Sequence, residues 1–333
     1  MRPRVCHTAS RTGGVLFGPV SPNINSVNHK SRAYLVISLL AVICGGAAWG
    51  IAFYRARRMQ PAWLLRRLPT SDALVVYLDV AALRRAGILG VFEDQNVSED
   101  ADYRDFVRQT NFDYKQDLDT AVAAFAPAGK FLLLRGRFNW KSLRSYVVSE
   151  NGACYNALCR MPGSTPQRRI SFFPLESNWM ALAVADDESA ALRMRDPASG
   201  PEREIPNAPI WLSIPTSLLQ SADNLPASTR PFAASLEHAH SVVLSFAPDG
   251  KRLAARLEVG CANNQDAANL ASQLSRTTAL LRQLIEREHH SPNPSELSGV
   301  LTSGSFRNEG AWVFGYWPIE RAFLENLFAG GSS

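Results

Sequence analysis

The sequence predicts an α+β fold in which an N-terminal transmembrane helix precedes two tandem β-α-β-β-α-β-β-α units with mixed or antiparallel sheets. The first observation is an uncharged apolar run from Tyr34 to Phe53, which at about 1.5 Å per residue is long enough to cross a bilayer. The second is the order of predicted elements, which favours helices on an antiparallel sheet over a doubly wound parallel sheet. The third is a turn motif that occurs once in each unit.

These patterns divide the chain into six segments. They are a disordered basic tail at 1–33, an anchor helix at 34–54, a basic juxtamembrane linker at 55–70, a first α+β unit at 71–196, a linker at 197–208 and a second α+β unit at 209–330. Residues 1–26 lack helical and strand periodicity, so they are also a candidate for a wrongly assigned start.

Basic charge is concentrated beside the predicted anchor. Three arginines follow it closely, Arg55, Arg57 and Arg58, and we expect them to contact anionic lipid head groups. Ten of the 35 basic residues precede residue 69 and no acidic residue precedes Asp72, so 25 basic residues face all 30 acidic ones in the remainder. The body is therefore acidic. This distribution argues against nucleic acid as a partner and favours the lipid bilayer.

The side of the membrane on which the body lies depends on two signals. The positive-inside rule is indecisive, because five basic residues precede the apolar run and five follow it. Cys154 and Cys159 are separated by four residues in a predicted loop or hairpin rim, where a disulfide would form in an oxidising compartment. Two reduced cysteines are the alternative. We therefore predict a single-pass inner-membrane protein with an extracytoplasmic body.

The first unit begins with a buried strand, because Leu74–Leu78 is a continuous apolar run bounded by polar residues. Asp79 follows it, and capping of the next helix is a commoner role for such a carboxylate than catalysis. The pattern predicts further strands at 120–125, 131–138, 170–175 and 179–185, and helices at 79–88, from Asn139 onwards and at 187–194.

The second unit repeats this order. The pattern predicts strands at 209–214, 241–246, 252–259, 297–306 and 311–316, and helices opening at Thr216 and at 264–287 and 319–328. The helix at 264–287 has one apolar stripe, which indicates packing on its own sheet more than a dimer seam. A homo-oligomer is therefore not indicated.

A turn motif relates the two units. Phe125–Lys130 reads FAPAGK and Phe246–Lys251 reads FAPDGK, so five of the six positions agree. Proline presets φ early in such a turn, and glycine accepts the positive φ needed before the chain reverses. Together with the repeated element order, the motif predicts an internal duplication.

The anchor, the strand sequence LVVYLDVAAL at 74–83 and the two Phe-Ala-Pro turns resemble uncharacterised single-pass proteins of the bacterial envelope. This resemblance covers most of residues 65–330. It implies anchoring by one helix with the body outside the cytoplasm, and it implies no catalytic residues. The long arginine-bearing tail departs from the pattern.

No motif for a reactive or cofactor site occurs in the sequence. The sequence contains none of four common motifs: the phosphate-binding loop, the dinucleotide fingerprint, the zinc-protease helix and the nucleophile elbow. Glu237, His238 and His240 lie together, but no third ligand from another segment can be identified. We therefore predict no metal and no cofactor.

One loop carries a candidate anion contact. Ser164 and Thr165 precede Arg168 and Arg169, and adjacent guanidinium and hydroxyl groups suit phosphate or carboxylate. A solvated turn is the alternative.

The sequence favours a membrane-anchored, non-catalytic binding or scaffold module that meets another envelope protein. An unrecognised hydrolase or anionic-ligand-binding enzyme, with its site between the two units, is the alternative. A third interpretation is a membrane-assembly subunit, since Gly45 and Gly46 would permit close helix contact.

Overall fold

The structure is a computed structural model that describes residues 61–87, 89, 101–165, 167–198, 205–220, 230–236, 238–250, 252–287 and 291–328. The predicted tail, the anchor helix and the predicted lipid contacts of Arg55, Arg57 and Arg58 lie outside these residues. Within them, no helix combines the length and the apolar character that a membrane span requires.

The described body is built on one sheet of twelve strands. These are β1 Leu74–Leu78, β2 Leu118–Ala126, β3 Gly129–Gly136, β4 Ala153–Tyr155, β5 Leu158–Pro162, β6 Arg169–Glu176, β7 Trp179–Ala185, β8 Ile210–Ile214, β9 Ser241–Asp249, β10 Arg252–Gly260, β11 Ser305–Glu309 and β12 Trp312–Ile319. Their order is β11-β12-β10-β9-β8-β1-β2-β3-β7-β6-β5-β4, with every neighbouring pair antiparallel. The predicted α+β class is thus confirmed, and the sheet is antiparallel.

Helices connect and cover these strands. They are α1 Pro61–Leu65, α2 Val80–Arg85, α3 Ala101–Thr110, α4 Tyr114–Asp117, α5 Trp140–Ser149, α6 Thr216–Gln220, α7 Arg230–Ser235, α8 Asn264–Arg287, α9 Leu297–Thr302 and α10 Arg321–Phe328, with a 3₁₀ helix at Ala190–Met194.

Local sequence signals set several of these boundaries. The Asp79 side chain caps α2 by accepting a hydrogen bond of 2.8 Å from the backbone N–H of Ala82. The Asn139 side chain caps α5 in the same way through the N–H of Ser142, at 3.2 Å. Both caps satisfy N–H groups that the first helical turn leaves without partners. The predicted capping role of Asp79 is confirmed.

The predicted strand at 297–306 is wrong over its first part. Leu297–Thr302 forms α9, and only Ser305–Glu309 is a strand. The segment 297–302 reads LSGVLT, and so short an apolar run does not distinguish a strand from a helix. In the structure it forms a helix that buries Gly299, Val300 and Thr302. In place of the predicted helix at 187–194, the structure has the shorter 3₁₀ helix at Ala190–Met194.

The pairing of β1 with β8 joins the two halves of the sheet at its centre. Tyr77 lies opposite Trp211 in this pair, and their rings stack with centroids 5.4 Å apart and planes 6° from parallel. Trp211 is 2% exposed, so its indole is one of the largest fully enclosed side chains. The β1–β8 contact is therefore part of the core and not a polar seam.

Helices pack on both faces of the sheet. On one face, α1 and the 3₁₀ helix cover a cluster that includes Phe131, Trp179 and Trp211. On the other face, α5 covers Phe172 and Met180, while α8 covers the strands of the second half through residues such as Leu274. The predicted packing of the 264–287 helix on its own sheet is confirmed.

We expect Trp211→Ala to lower the free energy of unfolding by about 3–5 kcal/mol, because it opens a cavity and removes the stack on Tyr77. Trp312, which is 47% exposed on β12, provides the matched control, and Trp312→Ala should cost less than about 1 kcal/mol. Urea denaturation of the full chain in detergent measures both. Equal losses would contradict a central role for the β1–β8 contact.

Candidate functional site

A polar pocket lies at the end of β1. It has a volume of about 370 Å³ and is lined by Leu64, Tyr77, Asp79, Ala81, Arg85, Asp119, Thr120, Arg135 and Trp179. It is positioned by the cap of α2 and by the sheet face that carries Tyr77 and Trp179. Its lining combines acidic, basic and hydroxyl groups.

Both carboxylates of the polar pocket already have structural roles. Asp79 caps α2, and Asp119 lies 3.9 Å from the Arg84 guanidinium. Arg84 also donates to the carbonyl oxygens of Lys115 and Leu118, which fixes α2 against the start of β2. Neither carboxylate is thereby left as an uncommitted general base.

The remaining charged group of interest is Arg135. Its Nε atom is buried and has no hydrogen-bond partner among the described residues. Burial raises the pKa of the nearby Tyr77 hydroxyl, the charge of Asp79 raises it further, and the charge of Arg135 opposes both. Arg135 and a protonated Tyr77 are thus hydrogen-bond donors, and together they suit a polar or anionic group.

An apolar pocket lies on the opposite face of the sheet. It has a volume of about 270 Å³ and lies between α3, α5 and the strands β3, β5, β6 and β7, lined by Phe106, Phe112, Leu134, Phe138, Leu143, Tyr146, Met161, Ile170, Phe172, Met180 and Leu182. Aromatic rings form one wall: Phe106 meets Tyr146 edge-on at 5.1 Å, and Phe112 stacks on Phe138 at 5.1 Å. These contacts hold α3 over the sheet.

Tyr146 supplies the one hydroxyl group in this lining. Burial raises its pKa, and the charges of Glu150, Asp102 and Asp105 raise it further. The hydroxyl is therefore protonated at neutral pH.

A third concavity, of about 430 Å³, lies on the sheet face formed by β10, β11 and β12. Two of its polar side chains have partners: the Arg307 guanidinium lies 4.5 Å from the centre of the Phe314 ring and 2.8 Å from Glu309. Tyr316 donates a hydrogen bond of 2.6 Å to Asp249, which raises the pKa of that hydroxyl. Such pairing is typical of a solvated sheet surface.

The predicted anion contact lies in the connection between β5 and β6. Ser164, Thr165, Arg168 and Arg169 are all exposed there. Backbone bonds close the turn, from the N–H of Gly163 to the carbonyl of Arg168 and from the N–H of Arg168 to that of Thr165. None of the four lines the concavities described above. Their binding of an anion stays a prediction.

The predicted disulfide is present in the structure. Cys154 and Cys159 are bonded, and they lie opposite each other in the β4–β5 hairpin. Asn156, at φ 53°, turns the chain between the two strands, a conformation that asparagine tolerates better than most residues. The bond closes the hairpin at the edge of the sheet. Cys261 is free and half-buried, and burial raises the pKa of its thiol.

Within the described ranges, no group of three or more His, Cys, Asp or Glu side chains is placed to hold one metal ion.

Comparison with known proteins gives only distant structural similarity. No protein-family model matches the chain, and no curated protein matches it in sequence. Crystal forms I, III and IV of TP0453 are similar over 80% of this chain and 98, 97 and 96% of TP0453, at 14, 13 and 12% identity and TM-scores of 0.43, 0.44 and 0.41. At these values the similarity carries no functional argument, and the resemblance to envelope proteins stays a prediction.

The apolar pocket was not predicted from the sequence. Its helix α3 falls in a stretch rich in charged residues, which reads as a polar connection. A signal was nevertheless present, because Tyr103, Phe106, Val107 and Thr110 follow the i, i+3, i+4, i+7 spacing of one helical face.

Substitution of Asp79 tests whether the main role of its side chain is to cap α2. We expect Asp79→Ala to lower the free energy of unfolding by about 1 kcal/mol, while Asp79→Asn stays close to the original protein because asparagine caps equally well. Urea denaturation followed by circular dichroism measures both. A loss of the same size in Asp79→Asn would contradict capping as its main role.

Proposed function

We propose that the protein is a membrane-anchored, non-catalytic binding module of the cell envelope, with its body outside the cytoplasm. The apolar pocket is the observation that carries the proposal. It offers a shaped, desolvated surface with one hydroxyl and no charged group in its lining, which suits binding and supplies no acid–base pair for a reaction.

The disulfide supports the extracytoplasmic position. Cys154 and Cys159 are bonded across a surface hairpin, and such bonds persist in oxidising compartments and are rare in the cytoplasm. The anchor at 34–54 would then hold the body close to the outer surface of the inner membrane, with Arg55, Arg57 and Arg58 at the lipid head groups.

An internal duplication accords with the strand order. From the central pair, β1-β2-β3-β7-β6 runs to one side and β8-β9-β10-β12-β11 runs to the other. The matched turns at 125–130 and 246–251 occupy the β2–β3 and β9–β10 connections. The hairpin β4–β5 is an addition on the first side.

An anionic-ligand-binding enzyme remains the alternative, and the polar pocket is the observation that favours it. Arg135 has a buried Nε without a partner among the described residues, and the pocket adjoins β1, the strand next to the second half of the sheet.

Substitution of Arg135 distinguishes the binding module from the anionic-ligand-binding enzyme. The variant is expressed in a strain that lacks the protein and shows a growth or envelope phenotype. We expect Arg135→Gln to restore that phenotype fully, because binding in the apolar pocket does not need the guanidinium. Arg137→Gln is the matched control, since Arg137 is exposed and pairs with Asp117 at 2.8 Å outside the polar pocket. Failure of Arg135→Gln alone, at normal protein level, would favour the enzyme.

Thiol labelling in intact cells tests the position of the body. In a variant with Cys6, Cys44 and Cys261 changed to serine, a membrane-impermeant maleimide should label the protein only after reduction, because Cys154 and Cys159 are bonded outside the cytoplasm.

The control places one exposed thiol on the same body. Ser164→Cys, in a background without the native cysteines, should react in intact cells with no reduction, since Ser164 lies on an exposed turn. Reaction of both variants only after lysis would place the body in the cytoplasm.

A further inference from the structure

The apolar pocket has the lining of a site for a hydrocarbon chain. Ten of its eleven side chains are hydrocarbon or thioether groups. A polar ligand would lose hydrogen bonds to water and gain almost none here, whereas an alkyl chain from the bilayer exchanges one apolar environment for another and loses no hydrogen bond. Met161 and Met180 lie on β5 and β7, the two strands that flank β6, and their flexible side chains can adapt to a mobile chain.

Tyr146 supplies the single polar group of the lining. Its ring packs edge-on against Phe106, with the ring centroids 5.1 Å apart. A protonated hydroxyl there can donate to the carbonyl oxygen of an ester. Glu150 lies one turn after Tyr146 at the end of α5, where its backbone N–H donates to the Tyr146 carbonyl at 3.1 Å, so a negatively charged head group is disfavoured beside this residue.

The source of such a chain follows from the predicted anchor. Seven residues separate Phe53, at the end of the apolar run, from Pro61, where the described body begins. Fully extended they reach less than about 30 Å. The body is thereby held beside a surface where lipid chains are abundant.

From these observations we propose that the apolar pocket binds one acyl chain of a membrane lipid with a zwitterionic or uncharged head group, with Tyr146 at its ester end. The inference rests on the proposed binding function and names its ligand class. Lipid binding requires no partner protein. The lipid proposal can therefore be wrong even if the body binds another protein, and it can be right even if no such protein exists.

Photolabelling of the full chain tests the proposal. The protein is reconstituted in vesicles of phosphatidylethanolamine and phosphatidylglycerol that contain phosphatidylethanolamine with a diazirine in one acyl chain. After irradiation, mass spectrometry should find label on peptides that carry Phe112, Met161 or Met180, in addition to the expected label on the anchor at 34–53.

Filling the pocket should remove this label. Leu182→Trp places an indole in the lining, and we expect it to lower labelling of these peptides by at least about tenfold, since the larger side chain fills the space that the acyl chain would occupy. Leu280→Trp is the matched control, because Leu280 is 59% exposed on α8, and it should leave the labelling unchanged. Met161→Trp fills the pocket from β5 and serves if Leu182→Trp does not fold.

Three results would overturn the proposal. The first is label on the anchor with none on the pocket peptides. The second is pocket label that persists in a folded Leu182→Trp or Met161→Trp variant. The third is pocket label from a diazirine fatty acid that exceeds the label from the phosphatidylethanolamine probe, because Glu150 beside Tyr146 should disfavour a free carboxylate.

Discussion

The antiparallel pairing of β1 with β8 is the contact on which the rest of the body depends. It converts two runs of strands, each with its own helices, into one continuous sheet. The stack of Tyr77 on Trp211 places two large rings at this junction, and both belong to the core that α1 covers. Because cross-strand neighbours on one face contact each other, this pair also fixes the register that positions the polar pocket beside it.

Much of the fold could be predicted from the sequence, because its signals are local. The apolar run at β1, the side-chain cap of Asp79 and the long stripe of α8 depend on residues a few positions apart. The segment 297–302 could not be assigned in this way, since a mostly apolar run of six residues fits a strand and a helix alike. The continuous sheet depends on pairing between residues more than a hundred positions apart, such as Tyr77 and Trp211.

The candidate sites were harder to predict than the fold for the same reason. The apolar pocket gathers side chains from two helices and four strands, and no segment alone contains a recognisable motif. The loop with Arg168 and Arg169 was conspicuous in the sequence because its charges are adjacent, but the structure places it on an exposed turn away from the pockets. The disulfide was predictable, since Cys154 and Cys159 are close in the chain and bracket a turn.

The two outer strands of the sheet differ in how they limit pairing between copies of the protein. An unpaired strand edge presents backbone donors and acceptors that can recruit a strand from another molecule. At one end, β4 has only three residues and is stapled to β5, so it offers a short template. At the other end, β11 carries Arg307 and Glu309 in an exposed ion pair, and a strand docking there would have to desolvate both charges. The described sheet is therefore long and open, yet each of its two outer strands is poorly suited to pairing with a strand of another copy.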